Sequence, residues 1–192
     1  MNGMAGARGR YANRVRIIGG AWRSRLIRVA PLEALRPTPD RVRETLFNWL
    51  GQDLAGRTCL DLYAGTGALG FEAASRGAGR VVMVERDALI HRALLAARAA
   101  LQAAAVEIVR ADALEFLRSD RGRYDVVFLD PPFHAAPWGR LLEWLPPRLN
   151  PGALVYCEGP ARLELPAGWE AHKEGRAGQV CYQLIQRERN GQ

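Results

Sequence analysis

A glycine-rich segment between a predicted strand and a predicted helix is the strongest constraint on the fold of this chain. The apolar run 58–62 is followed by Tyr63-Ala64-Gly65-Thr66-Gly67 and then by an apolar helical pattern over 69–75. Gly65, Gly67 and Gly70 match the spacing G-x-G-x-x-G, in which a tight turn brings the backbone close to a ligand at the start of a helix. The segment therefore predicts a strand–turn–helix unit of a parallel sheet.

The rest of the chain repeats this alternation of strands and helices. Helices are predicted from Thr38 and Pro39 to about Gly51 and over 69–75, 88–104, 114–117 and 141–145, and strands over 58–62, 81–84, 106–110, 125–129 and 153–157. Two further strands are predicted near 169–173 and 180–187, with no helix between them. This order is typical of a mostly parallel α/β sheet with an antiparallel edge.

Composition limits the classes of protein that the chain can belong to. Its 192 residues, 48% of them hydrophobic, suffice for one buried core with a small extension. No run approaches the roughly 20 apolar residues of a membrane span, and residues 1–10 lack the apolar stretch of a signal peptide. The three cysteines form no CxxC pair, and the three histidines are scattered. We therefore expect a cytoplasmic protein without disulfides, membrane contact or a metal site.

The positive charge is concentrated in the first 50 residues. They carry ten arginines and three acidic residues, whereas the other 142 residues carry 17 basic and 17 acidic residues. Residues 1–13 read as a disordered basic tail, and residues 14–29 as two short strands around Gly19 and Gly20. Alternation places Val15 and Ile17 on one face and Arg14 and Arg16 on the other. The hairpin would carry Trp22 and further arginines into solvent or onto a partner. This extension is predicted to face a polyanion.

Four acidic residues stand at or just beyond the ends of four successive predicted strands: Asp61, Glu85, Asp112 and Asp130. Ligands of open parallel sheets bind along that edge. Glu85 is placed to accept from two ribose hydroxyls, and Asp112 to accept from an adenine amino group. Asp61 would repel the pyrophosphate of NAD but could hold an ammonium group. A cationic sulfonium cofactor therefore fits better than NAD, although each acid taken singly could be only a strand-end cap.

The fourth acid belongs to the sequence Asp130-Pro131-Pro132-Phe133, which follows the apolar run 126–129. The exocyclic amino group of a nucleobase is a poor nucleophile, because its lone pair is delocalised into the ring. The Asp130 carboxylate and the restrained Pro131 carbonyl offer two acceptors that can draw its N–H groups out of plane. Phe133 offers a face on which a flipped base can stack. The alternative is a strand followed by a simple proline turn.

Together these motifs resemble the class I S-adenosylmethionine-dependent methyltransferases. More narrowly, they resemble the bacterial 16S rRNA guanine-N2-methyltransferases that modify guanine 966. The resemblance covers nearly all of residues 14–188, and its motifs are residues 16–20, 36–47, 61–70, 130–133 and 178–180. Pro39 departs from the threonine expected in many relatives, which suits a residue at the start of a helix.

The resemblance implies a Rossmann-like core over residues 51–190, with a seven-stranded sheet and helices on both faces, preceded by an RNA-facing hairpin and helix over 14–50. It implies S-adenosylmethionine as cofactor, no metal, and 16S rRNA, within a small-subunit assembly particle, as partner. The catalytic residues would be Asp130, Pro131, Pro132 and Phe133. The cofactor would be bound by Asp61, Tyr63, Ala64, Gly65, Thr66, Gly67, Glu85, Arg86, Asp112 and Ala113, and the RNA by Arg14, Arg16, Arg23, Arg25, Arg36 and Arg41.

Four rival functions remain open from the sequence. A DNA adenine-N6 methyltransferase, or another nucleobase amino methyltransferase, shares the Asp130 to Phe133 sequence, but the chain has little room for a DNA-recognition domain. A cytosine-C5 methyltransferase needs a cysteine nucleophile, and none lies near Asp130. An NAD-binding oxidoreductase explains the glycines alone, and a non-catalytic RNA-binding protein explains the arginines alone.

Overall fold

The computed structural model describes residues 14–30, 38–132 and 136–188. These residues form nine strands and five α-helices, together with two short 3-10 helices. The strands are β1 (Arg14–Arg16), β2 (Leu26–Arg28), β3 (Thr58–Asp61), β4 (Arg80–Glu85), β5 (Val106–Arg110), β6 (Tyr124–Leu129), β7 (Leu149–Gly159), β8 (Trp169–Ala177) and β9 (Val180–Arg187). The helices are α1 (Asp40–Leu50), α2 (Ala68–Ser75), α3 (Ala88–Leu101), α4 (Ala113–Ser119) and α5 (Trp138–Trp144). The described residues contain no helix that is long and apolar enough to cross a membrane.

Seven strands form one sheet in the order β5-β4-β3-β6-β7-β9-β8. The five strands from β5 to β7 are mutually parallel, and β9 and β8 continue the sheet antiparallel. Strands β4 and β5 are added on one side of β3, and strands β6 and β7 are added on the other side. The carboxyl ends of β3 and β6 therefore flank the point where the strand order reverses, which is where open α/β sheets bind ligands.

Helices cover both faces of the sheet, as predicted for a Rossmann-like fold. On one face, residues such as Leu46 of α1, Phe71 of α2 and Leu94 of α3 form a continuous buried cluster with the sheet. On the other face, α4 and α5 contribute Phe116 and Leu142 to a second cluster. Because successive strand residues point to opposite faces, alternation along each strand decides which cluster a side chain joins.

The predicted N-terminal hairpin is present, and it packs on the first of these faces. β1 and β2 pair antiparallel, with Val15 opposite Ile27, and both side chains are buried in the cluster that holds α1 and α2. The connection contains a 3-10 turn at Gly20–Trp22. Gly20 has φ of +73°, and a Cβ there would lie 1.8 Å from the Ser75 carbonyl oxygen. Only glycine lets the hairpin approach the end of α2 this closely.

Three sequence expectations need correction. Trp22 was expected to be exposed, but it is partly buried against the core, and its backbone N–H donates to Ser75 Oγ across 2.9 Å. Helix α1 begins at Asp40 with Pro39 in the cap position, so Thr38 and Pro39 precede the helix and do not form its first residues. Helix α3 ends at Leu101, because Gln102 adopts a left-handed conformation that terminates it.

Candidate active site at the carboxyl edge of the sheet

Five carboxylates, not four, follow the carboxyl edge of the parallel strands. In the spatial order of β5, β4, β3, β6 and β7, they are Asp112, Glu85, Asp61, Asp130 and Glu158. The four that the sequence singled out therefore lie side by side, as their positions after successive strands predicted. Glu158, the second-last residue of β7, was missed. Its signal was an acidic residue after the apolar run 154–157, the same pattern that identifies Glu85.

The glycine loop forms a compact turn between β3 and α2. The N–H of Ala64 donates to the Val84 carbonyl across 2.9 Å, and that of Gly67 donates to the Ala64 carbonyl across 2.6 Å. Gly67 has φ of +77°, and a Cβ there would lie 2.7 Å from the Phe71 ring. The loop is thus held against β4 in a conformation that side chains at Gly67 would prevent. Ala64 and Thr66 are buried beneath its surface.

Glu85 braces this loop from the end of β4. One carboxylate oxygen accepts from the N–H of Gly65 across 3.1 Å, and the other accepts from the N–H of Asp87 across 2.8 Å. Each oxygen can accept more than one hydrogen bond, so these contacts leave acceptor capacity for a ligand. Glu85 therefore has a fixed orientation beside the glycine loop.

Asp61 is enclosed behind the loop, at the end of β3. The residue is only 2% exposed, and one carboxylate oxygen accepts from the N–H of Gly70 across 3.0 Å. Burial, with repulsion from Glu85 as a smaller cause, raises the pKa of Asp61 to about 7. Among residues 14–30, 38–132 and 136–188, no arginine, lysine or histidine forms an ion pair with it. A buried acid without a cationic partner is suited to an ammonium group of a ligand.

Tyr63 and Asp112 follow β3 and β5 at the same edge of the sheet. Asp112 caps α4 by accepting from the N–H groups of Leu114 and Glu115 across 2.9 and 3.3 Å. Burial, and the nearby charge of Asp112, raise the pKa of Tyr63 to about 12, while Arg86 acts in the opposite direction. Arg86 itself is exposed, and Ala113 is buried.

Asp130 lies directly after β6, across the strand-order reversal from Asp61. The residue is partly exposed, Pro131 is buried and Pro132 is exposed. Burial of the carboxyl group, followed by repulsion from Glu158 and then from Asp61, raises the pKa of Asp130 well above its ordinary value. Phe133 lies outside the described residues, so its predicted stacking role stays a prediction.

Glu158 stands beside Asp130 and is more tightly enclosed. It is 5% exposed, and its carboxylate accepts from the buried hydroxyl of Tyr156 across 2.7 Å. Burial raises the pKa of Glu158, and the hydroxyl groups of Tyr156 and Thr38 oppose that rise. The Thr38 hydroxyl also lowers the pKa of Asp130, so it lies near both carboxyl groups. A residue from the segment before α1 thus completes this part of the site.

A buried ionic network fixes the N-terminal segments to the helix that follows the glycine loop. Glu72 of α2 is fully buried, and its two oxygens accept from the N–H groups of Ile18 and Gly19 across 2.8 and 2.7 Å. The Glu72 carboxylate also pairs with Arg76 at 2.9 Å and with Arg43 at 3.5 Å. The hairpin is therefore tied to α2 by charge-assisted hydrogen bonds. Neither Glu72 nor Arg43 was singled out from the sequence.

The arginines predicted to contact RNA are divided by the structure into three groups. Arg14, Arg23, Arg25 and Arg41 are exposed, as expected for residues that meet a polyanion. Arg16 is also exposed, but its guanidinium pairs with Asp40 at 2.8 Å, so it ties the hairpin to α1. Arg36 lies outside the described residues.

The polar groups of the site are carboxylates, and several of them accept hydrogen bonds from backbone N–H groups. Within the part of the chain that the structure describes, no group of three or more His, Cys, Asp or Glu side chains is arranged to hold a metal ion. Asp61 offers a charge partner for an ammonium, Glu85 offers acceptors for hydroxyl groups, and Asp112 offers an acceptor for an amino group. These chemistries match the methionine, ribose and adenine parts of S-adenosylmethionine.

Comparisons with known proteins extend over almost the whole chain. Residues 15–186 match the family model described as Conserved hypothetical protein 95. The chain is 41% identical over 186 residues to the Ribosomal RNA small subunit methyltransferase D of Escherichia coli strain K12, covering 94% of each chain. It is also 41% identical over 180 residues to the protein of that name in Haemophilus influenzae, covering 90% of this chain and 93% of that one.

A solved structure gives the same relationship in three dimensions. An Escherichia coli protein, presented as a candidate methyltransferase, superposes with a TM-score of 0.82 at 42% sequence identity. The match covers 91% of this chain and 98% of that chain. It therefore includes most of the parallel sheet whose edge carries the five carboxylates.

Proposed function

The chain belongs to the family of the ribosomal RNA small subunit methyltransferases D, whose model is described as Conserved hypothetical protein 95, and we propose that it methylates N2 of guanine 966 in 16S rRNA with S-adenosylmethionine as donor. The methyltransferase activity follows from the family. The observation that carries the finer assignment is the position of Asp130: an acceptor at the end of β6, facing Asp61 across the reversal of strand order.

The cofactor is assigned to the β3, β4 and β5 side of the edge. Asp61 would hold the ammonium of the methionine moiety, Glu85 the ribose hydroxyls and Asp112 the adenine amino group. Tyr63, Ala64, Gly65, Thr66, Gly67, Arg86 and Ala113 would line the same cleft. When bound, S-adenosylmethionine supplies a methyl group on a positively charged sulfur, and that C–S bond breaks with its electron pair moving to sulfur.

The amino group to be methylated is assigned to the β6 side. The Asp130 carboxylate and the Pro131 carbonyl would accept its two N–H groups and aim the nitrogen lone pair toward the cleft. As the new N–C bond forms, the nitrogen becomes cationic, and Asp130 would accept the proton that it releases. Phe133 would stack on the base. Because the methyl group is already activated, positioning and electrostatics would supply most of the acceleration.

The exposed arginines of the extension support an RNA substrate. Arg14, Arg23 and Arg25 lie on the hairpin, and Arg41 lies on α1, the helix that follows Thr38. The Thr38 hydroxyl lowers the pKa of Asp130, so the extension that carries these cations also influences the site. This proximity favours a polyanion that crosses the hairpin and delivers one base to Asp130. The proposed partner is the 16S rRNA of an assembling small subunit, and the proposed location is therefore the cytoplasm.

A cytosine-C5 methyltransferase is disfavoured by the environment of the cysteines. Cys59 and Cys157 are buried in the sheet, and burial raises the pKa of both thiols, that of Cys59 to about 12. A thiol in such surroundings is not a nucleophile near neutral pH. The chemistry at Asp130 requires no cysteine, which agrees with transfer to an exocyclic nitrogen.

The choice of acceptor tests the proposal. Purified protein and labelled S-adenosylmethionine would be incubated with small subunits lacking the modification, with naked 16S rRNA and with DNA. Label is expected in the subunits or the RNA, and it should disappear with Asp130→Ala. Label in DNA alone, or equal labelling by the variant, would contradict the assignment. Replacing the donor with NAD tests the oxidoreductase alternative.

A further inference from the structure

Glu158 occupies the position beside Asp130 on the neighbouring parallel strand. The register of β6 and β7 pairs Phe128 with Tyr156 and Leu129 with Cys157, so the next positions, Asp130 and Glu158, are adjacent. Phe128 and Tyr156 both belong to the cluster beneath α1 and α2. Because side chains two residues apart share a face, Asp130 and Glu158 point to that same face, where Thr38 meets them.

Burial of the Glu158 carboxylate costs free energy unless cations or hydrogen-bond donors compensate its charge. Its neighbour Asp130 repels it, and the described contacts that favour its charge are two neutral hydroxyl groups, those of Tyr156 and Thr38. No arginine, lysine or histidine among the described residues forms an ion pair with it. Two adjacent acids without a cation favour either protonation of one carboxyl group or hydrogen-bond donors supplied by a ligand.

The Watson–Crick edge of guanine supplies two such donors side by side, the ring N1–H and the N2 amino group. Adenine and cytosine each present one amino group beside an unprotonated ring nitrogen, which is an acceptor. A second carboxylate next to the one that holds the amino group would therefore attract guanine and repel the other two bases. A single acceptor at Asp130 could not make that distinction.

We propose that Glu158 accepts the N1–H of the target guanine while Asp130 holds its N2 amino group, and that Glu158 thereby makes the site specific for guanine. This inference rests on the proposed function and adds the residue that selects the base. Tyr156 acts as a positioning residue, because its hydroxyl holds the carboxylate of Glu158. Asp130 alone would support methylation of any base with an amino group in reach.

RNA carrying 2-aminopurine at the target position separates base selection from amino methylation. This base keeps the N2 amino group, but its ring N1 is unprotonated and accepts hydrogen bonds. The quantity measured is the ratio of kcat/KM for the guanine RNA to that for the 2-aminopurine RNA. The absence of the O6 atom affects every variant alike, so a change in this ratio reports on the group that faces N1.

Glu158→Gln is expected to narrow the preference for guanine by about tenfold or more, since its amide can donate to the unprotonated N1. Tyr156→Phe should narrow the preference for guanine less, because the Glu158 carboxylate stays but loses the hydrogen bond from the Tyr156 hydroxyl. Glu170→Gln removes an exposed carboxylate on β8 and should leave the ratio unchanged. Cofactor binding and circular dichroism would establish that the variants are folded.

A Glu158→Gln enzyme with the guanine preference of the unaltered protein would overturn the inference. If that variant also loses transfer to both RNAs equally, and Tyr156→Phe leaves the ratio unchanged, Glu158 is a structural residue only. Failure of the unaltered protein to methylate the guanine RNA would instead contradict the proposed function itself, so the two failures are distinguishable.

Discussion

The buried guanidinium of Arg43 donates from Nε to the backbone carbonyl oxygen of Thr38, across 3.2 Å. Arg43 is 1% exposed, and its other nitrogens pair with Asp40 at 2.6 Å and with Glu72 at 3.5 Å. One side chain therefore fixes the backbone at Thr38, whose hydroxyl lowers the pKa of Asp130, and it also joins the network that holds the hairpin. Arg43 therefore links the N-terminal extension to helix α2 and to the segment before α1.

Arg43→Met should lower the free energy of unfolding by about 3 kcal/mol, the lower end of the range for breaking a buried ion pair. The lower end applies because Glu72 keeps Arg76 and two backbone N–H groups as partners. Urea denaturation measures the change. Arg41→Met, on the exposed face of the same helix, is the control and should change the value by less than about 0.5 kcal/mol. Equal effects of the two substitutions would contradict the role given to Arg43.

Asp130→Ala should reduce kcat for methyl transfer by about 100-fold or more, since it removes the acceptor for the amino protons. Asp130→Asn keeps an acceptor oxygen and should retain more activity than the alanine variant. Steady-state kinetics with the guanine RNA measures both. An alanine variant as active as the unaltered enzyme would show that the acceptor is not needed.

The pH dependence of transfer should also depend on Asp130. Its pKa is raised, so its carboxylate becomes protonated, and activity falls, at a higher pH than the ordinary carboxyl range near 4. The asparagine variant has no carboxyl group at this position, and its profile should be flatter over the same interval. A profile of the unaltered enzyme that stays level down to the ordinary range would argue against an ionised Asp130 in the reaction.

Cofactor affinity should rise with pH as Asp61 ionises. The folded protein favours the protonated acid, so the stability contributed by Asp61 falls as pH rises from about 4 toward its folded pKa of about 7. A bound ammonium favours the carboxylate, and binding therefore releases a proton below that pKa. Calorimetric titration between roughly pH 5.5 and 7, where an α-ammonium stays protonated, should show tightening with pH. Asp61→Asn should bind more weakly and with a flat profile.

Neutralising hairpin arginines should weaken RNA binding and reduce its dependence on salt. If Arg14, Arg23 or Arg25 neutralises one phosphate, its removal should make the slope of log affinity against log salt concentration shallower by about 0.7 to 0.9. Glutamine variants and filter-binding measurements at several salt concentrations would establish this. Arg121→Gln, an exposed residue three positions before β6 at the opposite end of that strand from Asp130, should leave the slope unchanged. An unchanged slope in all three hairpin variants would remove the hairpin from the RNA interface.

The sheet and its carboxyl edge were predictable because both depend on local patterns. Alternating apolar segments identified the strands, and acidic residues at their ends identified Asp61, Glu85, Asp112 and Asp130. Glu158 carried the same local signal. Its position beside Asp130 depends on the pairing of β7 with β6, which is set by the tertiary structure and not by a local pattern.

The contacts between the extension and the core were not predictable in the same way. Arg43 lies among the apolar positions of α1 and reads as one more basic residue of a basic segment. Its burial depends on Glu72, 29 residues later in the chain, and on how the hairpin packs against α2. Trp22 and Arg16 were assigned to solvent or RNA for the same reason, since their partners Ser75 and Asp40 are set by tertiary packing.

The identity of the methylated nucleoside tests the central claim most directly. Small-subunit RNA treated with the protein and S-adenosylmethionine would be digested to nucleosides and analysed by mass spectrometry beside the Asp130→Ala reaction. The account predicts one N2-methylguanosine per 16S rRNA, at position 966, and almost none with the variant. Methylation of a ring carbon or of adenine, or the same yield of N2-methylguanosine without the Asp130 carboxylate, would contradict it.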